Sequence, residues 1–134
     1  MTDNAFTMKS WDEHLVSGEE GAPRVAHAHA VMRYAGVIDG DSTCDFLLFY
    51  PGEGFDGGAT TSPGLERIEG NVAGQKGSFV VRHEVGFDLN GLQGTFTVVA
   101  GSGTGELSGL TGSGTVTGTM GQETVSYTFE YEIG

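Results

Sequence analysis

Basic side chains are scarce in this chain: six Lys and Arg stand against 18 Asp and Glu, for a formal net charge of −12. Such an excess repels phosphate backbones and anionic headgroups, so neither nucleic acid nor a membrane surface is an expected partner. Cysteine is nearly missing. Cys44 stands alone, which excludes an intrachain disulfide or a multi-thiolate metal cluster and leaves the role of a small buried hydrophobe. Long apolar runs are absent as well. The opening residues, Met1 to Phe6, have neither the basic nor the apolar region of a signal peptide, and no stretch approaches the roughly 18 apolar residues of a spanning helix. A cytoplasmic location is therefore expected. Helical periodicity is wanting too: no segment carries a capped 3.6-residue apolar stripe, although Trp11 to Val16 has room for a turn of helix before the loop from Ser17 to Gly21.

What is present suffices for one domain over residues 1–134. The 37% hydrophobic and 10% aromatic content can fill a core, and the length leaves no room for a second. Period two dominates. Val125, Tyr127, Phe129, Tyr131 and Ile133 alternate with Ser126, Thr128, Glu130 and Glu132, which gathers the apolar set on one face only if the segment is a strand. Phe79, Val81, His83 and Val85 repeat the pattern, as do Phe96 and Val98, and the Asn90-Gly91 pair between these segments suits a type I′ hairpin turn. Further strands are expected over Phe6–Trp11, Val25–Ile38, Thr43–Tyr50, Leu65–Glu69 and Thr111–Thr119, each bounded by turn formers. Eight short antiparallel strands avoid exposed edges best by closing, so the predicted fold is an all-β, eight-stranded antiparallel barrel whose interior holds side chains or one small ligand.

The 24 glycines crowd most densely between Gly101 and Gly114. This tract opens no helix, lacks a Walker lysine and misses the spacing of a dinucleotide loop, so turns and sheet curvature explain it better than phosphate binding. Asp39-Gly40-Asp41-Ser42 lacks the full spacing of a calcium loop and reads as a turn.

The segments Ser10 to Glu13, Gly64 to Gly70, Gly77 to His83 and Gly101 to Leu110 occur in an order that resembles the bacterial domain-of-unknown-function family 3224 across nearly the whole chain. That resemblance implies a barrel similar to that of allene oxide cyclase, an architecture shared with plant dirigent proteins and some bacterial polyketide cyclases, which act on apolar molecules inside the lumen. The glycine-rich connection from Pro51 to Pro63 departs from the family pattern and is expected to reshape a barrel mouth.

Strand parity then selects candidate site residues. Glu66 shares a face with Ile68, and His83 shares one with Phe79 and Val81, so both would enter an apolar lumen. Burial there disfavours the charged form of either group and favours proton exchange near neutrality. Tyr50, in line with Cys44, Phe46 and Leu48, would add a hydroxyl to polarise a carbonyl. The structural alternative is a buried polar network in which Glu66 simply bonds to a Tyr hydroxyl or a strand-end amide and His83 does the same. The expected lumen is lined by Met32 and Tyr34, by Phe46 and Leu48, by Ile68, by Phe79 and Val81, by Phe96 and Val98, and by Tyr127, Phe129 and Tyr131. His27 and His29 share a face with Arg33, so they read as exposed histidines, with His14 or a carboxylate needed to complete any metal site. No metal and no cofactor are expected.

Three functions fit. The first is a barrel that binds an apolar small molecule. The second is a cyclase or isomerase using Glu66, His83 or Tyr50 to move protons in the same lumen. The third is a homo-oligomeric assembly module, a dimer as first expectation, with a filled barrel and with Leu47, Leu48 and Phe49 placing apolar groups on both faces of one strand.

Overall fold

The computed structural model describes residues 4–50, 62–88, 91–119 and 124–133, without the side chains of residues 87–88. Eight strands run through it: β1 Ala5–Gly18, β2 Arg24–Ala35, β3 Ile38–Tyr50, β4 Ser62–Val72, β5 Gln75–Asp88, β6 Gly91–Val98, β7 Leu110–Thr119 and β8 Thr124–Ile133. Each pairs antiparallel with its neighbour in sequence, and β8 returns to β1 to close the barrel. The predicted class and strand number therefore hold. Inward and outward residues alternate without a break through β3, from Ile38 to Tyr50, and from Ser62 to Glu69 in β4, as a half-buried sheet requires.

Several boundaries move. The predicted strand from Val25 to Ile38 is divided: Gly36, with φ of 103°, turns the chain, and Ile38 begins β3. Asp39 to Ser42 is consequently not a turn but the start of β3, paired with Asn71 to Ile68 of β4. Trp11 to Val16 is not helical. It continues β1, held to β2 as far as Gly18↔Arg24, with register shifts between Met8 and Ser10 and between Leu15 and Ser17. A bulge inserts one residue and reverses the parity beyond it. Phe6 and Met8 thus face the interior before the first shift, and Trp11 and Glu13 after it, so no single period runs through β1.

The predicted hairpin between β5 and β6 forms, with Asp88 opposite Gly91; its turn residues 89–90 lie outside the described residues, as does 51–61 of the Pro51–Pro63 connection. The glycine tract after β6 lies along the edge of β5. Val99 donates to the Val80 carbonyl, Thr104 to that of Ser78, and the Ser78 amide donates to Thr104 Oγ1. A short 3-10 turn, Gly105–Leu107, then tucks Leu107 completely into the core.

The two ends of the barrel differ. Ile38, Val72, Leu107 and Leu110 are buried at the end where β4 turns into β5, and the Phe129 ring stacks on Tyr131 and Phe79. The Tyr127 hydroxyl donates to the Ala35 carbonyl and accepts from the Ile38 amide, fastening the β2–β3 turn to β8. That end is solid. Among the described residues β8 pairs with β1 only through Thr124–Ser126 and Ala5–Thr7, near the β2–β3 turn, so the rest of β1, running to the other end, continues with β2 alone.

Candidate functional site

Glu66 projects from β4 at the level where Cys44 of β3 and Val81 of β5 flank it. Its side chain is fully enclosed. A carboxylate so placed must be compensated by hydrogen bonds, because water cannot solvate it. Three donors do this. Tyr34 of β2 donates its hydroxyl to Oε1 over 2.8 Å, Ser42 of β3 donates to Oε2, and His83 of β5 approaches Oε1 with Nε2 at 2.6 Å. An ionised carboxylate offers only lone pairs, so with Glu66 in that form the short contact at Oε1 assigns a proton to His83 Nε2, donating to Glu66. Nδ1 is then an acceptor. It is buried and has no hydrogen-bond partner among the described residues.

Aromatic rings hold this imidazole. Phe96 on the neighbouring β6 and Phe46, which reaches across β4 from β3, each place a ring centroid 5.7 Å from it. Phe46 can lie there because Gly64, directly opposite His83 on β4, has no side chain: a Cβ on Gly64 would sit 2.5 Å from Phe46 Cδ1.

Above this cluster the barrel is hollow. A cavity of about 690 Å³ borders His83 and extends toward the loosely closed end, between Phe46 and Leu48 on one wall and Val85, Val116 and Val125 on another, with Met32 and Ala26 on β2. Charge appears at its mouth, where Glu13, Glu20 and Arg24 lie. Arg24 stacks over the Tyr50 ring, 4.7 Å from its centroid. The volume falls within the range of small-molecule sites, roughly 300–1,000 Å³, and its walls are mainly apolar as such sites are.

Electrostatics follow burial. The Tyr34 hydroxyl is held well above the ordinary phenol range, chiefly by burial and then by the Glu66 charge. Burial also pushes the Cys44 thiol up, with Glu66 adding to it. Cys44, Glu66 and His83 offer ligand atoms within 4.8 Å of one another, the spacing of a potential divalent metal site. The chemistry present favours a hydrogen-bonded cluster instead, since the Glu66–His83 bond spans the gap directly and the thiol resists becoming the thiolate a metal requires.

The structure brings together Glu66 and His83 but not Tyr50. Tyr50 stands six residues beyond Cys44 on β3, about 20 Å along the strand, where its hydroxyl donates to Glu13 Oε2 over 2.7 Å. The hydroxyls at Glu66 come instead from Tyr34 and Ser42. The turn-like residues Asp39 to Ser42 mask Ser42, whose inward parity follows once β3 is extended two residues back from Cys44. Of the expected lumen lining, Met32, Phe46 and Leu48 border the cavity. Tyr34, Ile68, Phe79, Val81, Phe96, Val98 and Tyr127 are buried in the core, with Phe129 and Tyr131 half-buried against it, and none of these nine lines that cavity. Phe6, Met8 and Trp11 line it unforeseen, because the β1 bulge concealed their shared face.

His27 and His29 lie on the outer face. Their Nε2 and Nδ1 atoms approach the same Asp45 oxygen at 2.9 and 2.8 Å; the hydrogen bond from His29, opposed by burial and supported by the weaker contribution of His27, holds the Asp45 carboxyl below its ordinary range. His14 meets His27 edge-on. Among the described residues no helix is long and apolar enough to cross a membrane.

Comparison with known proteins agrees with this architecture. No curated protein matches the chain. A crystal structure of a protein of unknown function from the DUF3224 family of Shewanella oneidensis MR-1 superposes with a TM-score of 0.61 at 22% identity, covering 97% of this chain and 99% of that one. The profile of the family described as protein of unknown function (DUF3224) matches residues 2–131, and the chain belongs to that family.

Proposed function

We propose that this protein binds an apolar small molecule in the open half of its barrel. The observation that carries the reading is the cavity of about 690 Å³, apolar along its walls and bordered at depth by His83. A barrel serving only as an assembly module would gain stability by filling that space, since each void in a core forfeits packing. Here one half is packed and the other hollow, which favours a binding role. The test is equilibrium binding of the uncharged fluorescent probe N-phenyl-1-naphthylamine. The native protein should bind it saturably, and Ala26→Phe, which places a ring inside the cavity from β2, should weaken binding at least tenfold with an unchanged β-sheet circular dichroism spectrum. Equal binding by both would locate the probe elsewhere and contradict the reading.

A second reading, an isomerase or cyclase, is favoured by one specific contact. Glu66 orients and polarises His83 as a carboxylate does in acid–base pairs, leaving Nδ1 as a base. In that reaction His83 removes a proton from a bound apolar substrate and returns it at another carbon, with Glu66 stabilising the imidazolium formed between the two steps. Tyr34 and Ser42 act through Glu66 as positioning residues. Tyr50 has no part in this chemistry and belongs to the cavity mouth.

A further inference from the structure

The unpartnered nitrogen of His83 narrows the class of ligand. Three points converge. Glu66 accepts from Tyr34 and Ser42 on its two oxygens, and as a carboxylate it can also only accept at the short contact with Nε2, which assigns the imidazole proton to Nε2 and the lone pair to Nδ1. Nδ1 is buried with no hydrogen-bond partner among the described residues, whereas buried ring nitrogens are ordinarily paired. His83 also borders the cavity, so a molecule seated there is the group positioned to reach it. We infer that the ligand is an apolar molecule bearing a hydroxyl, an alcohol or a phenol, whose O–H donates to His83 Nδ1. The inference rests on the cavity-binding reading above.

The chemistry discriminates sharply. A ligand that ends in an ether or ketone brings only lone pairs toward the Nδ1 lone pair and leaves both groups unsatisfied, whereas a hydroxyl satisfies one acceptor with one donor. The Glu66 charge behind the ring strengthens Nδ1 as an acceptor through the shared imidazole. Phe46, whose ring lies 5.7 Å from the imidazole and borders the cavity, suits a ring-bearing ligand.

The matched pair 2-naphthol and 2-methoxynaphthalene tests this, with N-phenyl-1-naphthylamine as the control for an accessible cavity. The native protein should bind 2-naphthol about tenfold more tightly than its methyl ether. In His83→Phe that preference should fall to near unity while control binding persists, and in Glu66→Gln it should shrink. Long-range proton–nitrogen NMR on the native protein gives a readout that needs no variant: His83 should show a protonated Nε2 and a bare Nδ1, with the Nδ1 resonance moving when 2-naphthol is added and not when its ether is. Equal affinity for the two naphthalenes, a preference surviving in His83→Phe, or a proton found on Nδ1 would each overturn the inference and leave cavity binding standing. Failure of all three molecules to bind would remove the cavity reading and this inference with it.

Discussion

His83 Nε2 and Glu66 Oε1 meet at 2.6 Å inside the barrel, with the two residues 3% and 0% exposed. Removing one partner of such a contact leaves the other desolvated and unpaired. Glu66→Leu strands three donors at once, those of Tyr34, Ser42 and His83, and should destabilise the fold by roughly 3 kcal/mol or more, read as a shift in the urea midpoint. Glu66→Gln, which keeps acceptors in place, should cost distinctly less. Adding Tyr34→Phe and His83→Phe to Glu66→Leu should recover part of the loss, because fewer polar groups then stay orphaned.

Cys44 should be chemically silent in the folded protein. Its side chain is completely buried, and burial together with the Glu66 charge disfavours the reactive thiolate. A thiol reagent such as dithiobisnitrobenzoate should titrate no cysteine in native buffer and one per chain in denaturant. Rapid native labelling would mean that the β3–β4 wall opens readily.

Alkaline titration should loosen the solid end. Burial pushes the Tyr127 hydroxyl from its ordinary value near 10 up to about 12, against a smaller lowering by its hydrogen bond to Ile38. A group whose folded value is raised stabilises the fold fully below its unfolded value and loses that contribution as pH rises through the folded one. Stability should therefore decline from about pH 10 upward, and Tyr127→Phe should flatten that decline. Tyrosinate absorbance followed beside circular dichroism checks the order of events.

Gly64→Ala should report on the floor of the cavity. The new methyl group would overlap the Phe46 ring, forcing it from the face of His83. A small-to-large change of this kind costs about 1–3 kcal/mol, and a displaced Phe46 should also weaken binding of the naphthyl probe. Unaltered probe binding would show that Phe46 has another position compatible with the occupied site.

The sequence made the sheet legible wherever period two was unbroken. From Cys44 to Tyr50, around Glu66 and from Phe79 to Val85, parity alone identifies the inward set, including Glu66 and His83, because a closed barrel turns one face of every strand to a single interior. It failed where geometry interrupts alternation. The β1 bulges exchanged faces within one strand and made a continuous ladder resemble a strand followed by a helical turn. Aspartate and glycine at positions 39–41 imitated a turn, although Gly40 serves close packing between strands, where a Cβ would lie 2.3 Å from the Glu69 carbonyl oxygen. Height along the barrel was also invisible. Tyr50 and Glu66 share an interior, yet only register shows that one lies at the mouth and the other beneath the cavity, and only register divides the aromatic residues between a filled half and a hollow one.

The most direct measurement is native mass spectrometry of the protein isolated gently from its own cells, followed by denaturation and identification of anything released. The account predicts one apolar, hydroxyl-bearing molecule per chain in the native protein and none in Ala26→Phe. A native protein that emerges empty, and that also fails to take up the naphthyl probe, would contradict it.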